Sequence, residues 1–78
     1  MPLLIAAARR AFRLSNRESQ ILSLALLGLS NKEIAGRLRI SANTVKTYVR
    51  SLLAKLDVST RSGLLWRLLD TRPALAPA

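Results

Sequence analysis

The stretch ISANTVKTYVRSLLAKL, residues 40–56, decides how the chain is read. Ser41 offers the short hydroxyl that accepts a hydrogen bond from an amide left unpaired at a helix start, so Ala42 becomes the first helical residue. No Gly or Pro follows until Gly63. Val45, Val49, Leu52 and Leu56 recur at steps of four, three and four, with Tyr48 and Leu53 flanking, which makes one apolar stripe at the helical period. The other face reads Asn43, Lys46, Thr47, Arg50 and Lys55, all donors with no acid among them. At about 1.5 Å rise per residue, Ala42 to Leu56 makes a rod of roughly 22 Å, with Lys46, Thr47 and Arg50 near its N-terminal half and clear of the stripe. Such a helix packs by one side and offers the other to a polyanion.

Immediately upstream stands GLSNKEIAGRL, residues 28–38. Ser30 and Glu33 have the spacing of a capping box, which predicts a short helix from Asn31 to Leu38 with Ile34, Ala35 and Leu38 inward. Its first turn carries Asn31 and Lys32 beside unpaired backbone amides, a natural seat for a phosphate. Gly36 inside this helix costs roughly 1 kcal/mol relative to Ala, and close approach of a neighbouring backbone is the reading that accommodates it. Only Arg39, Ile40 and Ser41 separate the two helices, too few for an easy antiparallel return. A short helix, a tight turn and a longer helix with a basic outer face spell helix-turn-helix. Ala35, Ile40 and Val45 supply the small residue and the two apolar plugs of that motif, whereas Arg39 stands where many such motifs carry glycine.

Further out, the same start signal occurs at Ser15 and Glu18, with Leu14 as a staple, and predicts a helix over 16–27 with Ile21, Leu22, Leu24 and Ala25 inward. Gly28 can take the left-handed conformation that closes it, and Leu29 can fold back. After Leu56, Asp57 and Val58 make a turn, and Thr60 caps a helix over 61–70 in which Leu64, Leu65, Leu68 and Leu69 are apolar. The final TRPALAPA, with two prolines, reads as a disordered tail over 71–78. Residues 1–13, including PLLIAAARRAF, read as a flexible N-terminal arm or linker, the other reading being a short helix with Leu3, Leu4, Ala7 and Ala11 on one side and Arg9, Arg10 and Arg13 on the other.

Composition agrees. Seventy-eight residues make one small domain, half hydrophobic and leucine-rich with three aromatics, and no alternating strand pattern is present. The expectation is an all-α fold without a wing. Thirteen cations against four acids give a formal charge of +9, which calls for an anionic partner, nucleic acid or membrane surface. The absence of Cys and His removes the usual nucleophiles, general bases and zinc ligands, so neither an enzyme nor a metal or other cofactor is expected. The apolar start, 1–8, is too short for a membrane span and lacks the basic lead of a signal peptide, so the expected location is the cytoplasm.

The motifs LSNRE at 14–18, GLSNKEIAGRL at 28–38, IS and TVKTY within 40–48, and KLDVSTR at 55–61, in this order, resemble the LuxR-type (GerE-like, NarL/FixJ-related) DNA-binding domain of bacterial transcription regulators. The resemblance spans residues 14–70. It implies a compact four-helix domain whose third helix enters the major groove of double-stranded DNA, and a homodimer formed through the fourth. Carried onto this chain, it implies base contacts at Lys46, Thr47 and Arg50. Phosphate contacts are implied at Asn31, Lys32, Asn43, Thr44, Tyr48, Lys55 and Arg61, and a dimer interface at Leu64, Leu65, Leu68 and Leu69. Tyr48 stands where many relatives have histidine and Asp57 where glycine is frequent. The alternatives are a sigma-factor-like promoter-reading domain that also binds RNA polymerase and a cationic amphipathic protein of membrane surfaces, the latter disfavoured by capping signals that define helices in water.

Overall fold

The computed structural model describes residues 2–69, which form five helices: α1 (Pro2–Phe12), α2 (Asn16–Leu26), α3 (Asn31–Leu38), α4 (Ala42–Leu56) and α5 (Arg61–Leu69). The fold is all-α, with no strand among the described residues. Asp70 and the 71–78 segment read above as a tail lie outside the described residues.

Local chemistry accounts for every helix start from α2 onward. Ser15 and Ser30 each accept from the amide three residues on, Glu18 at 3.0 Å and Glu33 at 3.2 Å, and each glutamate returns to the serine amide at 2.8 Å. Ser41 accepts from the Thr44 amide at 3.0 Å, and the Thr60 hydroxyl accepts from the Gly63 amide at 3.3 Å. The helix ends share a device too. Gly28, at φ +92°, lets the Leu29 amide reach the Leu24 carbonyl and its own amide reach Ala25, the pattern of a Schellman closure. Arg39 and Asp57 close α3 and α4 in the same left-handed region.

α4 is the central element, packing against α2, α3 and α5. Its stripe of Val45, Val49, Leu52 and Leu56 meets Ile21 and Leu22 of α2, Ile34 and Ala35 of α3, and Leu64 and Leu68 of α5 in one core. The stripe expected from spacing is thus the buried one.

Three readings are corrected. The N-terminal segment is a helix that packs on α2, not a flexible arm. It docks by Leu4, Ala8 and Phe12, a step-of-four stripe in which the small Ala8 is fully covered, while Leu3, Ala7 and Ala11 stay exposed. The Arg67 guanidinium sits over the Phe12 ring, 5.2 Å from its centroid, and ties α5 to α1. Next, Gly36 faces open space, since a Cβ there meets nothing within 4 Å; the close approach belongs to Gly63, where a Cβ would lie 3.1 Å from Val58 Cβ. Finally, Leu64 and Leu68 are 0% and 2% exposed, so they hold the protomer core and are closed to a partner.

Candidate nucleic-acid interface

Once α4 buries its stripe, helical geometry leaves the opposite face to solvent. Asn43, Thr44, Lys46, Thr47 and Arg50 are all exposed there. Lys46 and Arg50, four residues apart, project from one side at neighbouring turns. Neither has an acidic partner among the described residues. Thr47 donates its hydroxyl to the Asn43 carbonyl at 3.2 Å. At the helix start the Ser41 and Thr44 hydroxyls are 2.8 Å apart.

The short α3 adds a second basic contribution. Lys32 is exposed in its first turn, and Arg37 and Arg39 are exposed at its end. Glu33, the acid on this helix, is bound by the Ser30 amide and hydroxyl, which hold its carboxyl below the ordinary 4.5. It therefore stays ionised as a cap, directed at the α3 N-terminus.

The remaining expected contacts fall into two groups. Tyr48 is half-buried, with its ring packed against the core at the edge of the exposed face. Asn31, Lys55 and Arg61 serve the fold directly. Arg61 donates through Nη1 to Asn31 Oδ1 and through Nη2 to the Leu29 carbonyl at 2.7 Å, so it locks the α2–α3 turn to α5. That clasp takes two of the five guanidinium N–H donors, while the amide group of Asn31 keeps its own donors free of Arg61.

Lys55 is committed most firmly. Its ammonium donates to Glu18 Oε1 at 2.8 Å and to the Arg13 carbonyl at 3.1 Å. Glu18 also accepts from the Ser51 hydroxyl at 2.7 Å and from the Ser15 amide at 2.8 Å. Burial of Glu18 pushes its pKa up, but hydrogen bonds from Lys55, Ser51 and Ser15, with the Lys55 charge, outweigh it and bring the carboxyl down to about 2. Lys55, expected as a phosphate contact, thus also forms a tether that fixes the C-terminal half of α4 to the start of α2. Sequence spacing could not reveal this, because the partners are 33 and 37 positions apart. Also missed was Trp66, which is 71% exposed on α5 beside Leu65 at 40% and Leu69 at 54%. The available signal was the helical rotation between Leu64 and Leu65, which sends one pair of leucines inward and the next outward.

Among the described residues no group of His, Cys, Asp or Glu could hold a metal ion, and no helix is long and apolar enough to cross a membrane. No solved structure matches the chain. One family model does match, that of the bacterial regulatory proteins of the luxR family, over residues 13–67, the span that holds α2 through α5 up to Arg67. With most of its length inside that match and with the two-helix motif and its basic outer face in place, the chain belongs to the luxR family of helix-turn-helix, DNA-binding regulators of transcription.

Proposed function

We propose that this chain reads a specific double-stranded DNA sequence by laying α4 in the major groove, with residues 14–70 as the DNA-binding unit. The observation that carries the reading is the exposed, acid-free face of Lys46, Thr47 and Arg50 on a helix whose other side is locked in the core. The three side chains read base edges: Arg50 is suited to the forked recognition of guanine O6 and N7, and the Thr47 methyl to a thymine methyl. Lys32, Asn43, Thr44, Tyr48 and the amide group of Asn31 hold phosphates, which set register without reading sequence. Lys55 and Arg61 act behind this surface, by holding α4 and the turn before α3.

Two copies bind together, each on one half of a near-palindromic site, through an α5 contact made by Leu65, Trp66 and Leu69. The site of action is the cytoplasm, where a bacterial regulator meets its DNA. The test is selection from randomised duplex DNA at two salt concentrations, since phosphate contacts make affinity steeply salt-dependent. Enrichment of a short, roughly palindromic motif is the expected result. Tight binding at low salt that collapses at high salt and enriches no motif would reduce the basic face to an electrostatic footprint.

A further inference from the structure

The helix that lies outside the family match builds a feature of its own. Between α1 and α2 runs a groove of about 840 Å³, open to solvent, with Ile5, Ala6, Leu14 and Leu27 as its apolar surface. Leu27 is 63% exposed at one end. Ser19 and Ser23 line the α2 wall and, with Leu27, form a step-of-four stripe on that helix. The rim is cationic: Arg9 and Arg10, in the last turn of α1, both border the groove, both are exposed, and neither is paired with an acid among the described residues.

We propose that this groove docks an acidic amphipathic helix of another protein, apolar side down, with its carboxylates on Arg9 and Arg10. An open trough between two helices suits a third helix better than a small molecule, which needs a site that encloses most of its surface. Charge decides the sign of the partner. The chain carries four acids against thirteen cations, and among the described residues Glu18 is buried in its tether, Glu33 caps α3 and Asp57 closes α4, so no described helix of a second copy offers an acidic face. The groove also leaves DNA binding free. Glu18, Ile21 and Leu22 mark the side of α2 turned to α4, and the stripe of Ser19, Ser23 and Leu27 turns away from it.

The probe is a synthetic peptide of about 20 residues, beyond the length at which isolated helices are marginal in water, with leucines at helical spacing flanked by glutamates. A second peptide replaces each glutamate with lysine. Both are titrated into the isotope-labelled full chain, with and without duplex DNA. The expected result is saturable binding of the acidic peptide, amide shifts centred on Ser19, Ser23 and Leu27, persistence when DNA is bound, and about tenfold weaker binding to the Arg9→Glu/Arg10→Glu chain. Far-ultraviolet circular dichroism checks that this variant keeps its helices; if it does not, the place of the amide shifts in the unaltered chain decides, on Ser19, Ser23 and Leu27 for the groove and elsewhere against it. Shifts confined to α4, release of the peptide by DNA, equal binding of both peptides, or no saturable binding would each overturn the proposal.

Discussion

Lys46 and Arg50 are exposed long cations on a helix whose other face is locked in the core, and in the proposed function that fixed placement is what turns charge into sequence reading. Loss of a bidentate guanine contact is felt on the cognate site and barely on random DNA. Arg50→Ala is therefore expected to cost about 1 to 3 kcal/mol on the selected sequence and far less on an unrelated duplex, measured by fluorescence anisotropy on both. An equal loss on the two would make Arg50 a phosphate contact. Glu18 acts at the same scale but through stability. Its folded pKa of about 2 lies below the ordinary 4.5, so its contribution is fully present above about pH 4.5 and is lost as pH falls toward 2. The amount is on the order of 3 kcal/mol, for a carboxylate whose side chain is only 7% exposed. Urea denaturation across that pH window is expected to show a steep acid decline for the native chain and a shallower one for Glu18→Gln. An undiminished decline in the variant would assign the acid sensitivity elsewhere, to Glu33 first.

At the scale of the element, helix closure is where the chain holds strain. Arg13, Arg39 and Asp57 all sit at positive φ, between 55° and 58°, where only Gly is unpenalised and Asp is tolerated. Arg39 is exposed, with no hydrogen bond from its guanidinium among the described residues. Arg39→Gly is expected to stabilise the free protein by up to about 1 kcal/mol, read from the shift in urea midpoint without DNA. A loss of stability would show that the arginine stem supplies packing that outweighs the backbone relief. Gly36 offers the opposite exchange within the same helix. Because a Cβ there meets no atom within 4 Å, Gly36→Ala is expected to add roughly 0.5 to 1 kcal/mol by restricting the unfolded chain, seen as a higher Tm. A lower Tm would mean that α3 needs a bend that alanine resists.

For the whole molecule, two terms oppose each other. Leu65, Trp66 and Leu69 form an exposed apolar surface on α5, which favours association, while a charge of +9 on each copy disfavours it. DNA neutralises the second term. The free chain is therefore expected to sediment as a monomer at low salt, and two copies to assemble on a palindromic duplex. Trp66→Ala is expected to shift that complex toward single occupancy with little change in unfolding midpoint, because the side chain is 71% exposed in the protomer. Ultracentrifugation of the DNA complex and thermal unfolding of the same variant separate the two effects. Unchanged stoichiometry would move the contact off α5.

What the sequence by itself determined is whatever a single turn of chain can decide. A serine hydroxyl reaches an amide three residues away, a glutamate reaches back, and apolar residues three or four apart share a face, so the starts of α2 to α5, the buried stripe of α4 and its basic outer face were all legible from spacing. The family resemblance rests on the same local motifs. Only the tertiary structure decided which surfaces remain. It turned Leu64 and Leu68 inward and left Leu65, Trp66 and Leu69 outside, it gave Lys55 to Glu18 and Arg61 to Asn31 and Leu29, and it seated α1 by Ala8. The physical reason is distance along the chain. Pairings across 30 or more positions depend on how each helix is rotated about its axis when the core closes, and one residue of rotation, about 100°, exchanges an interior side chain for a surface one.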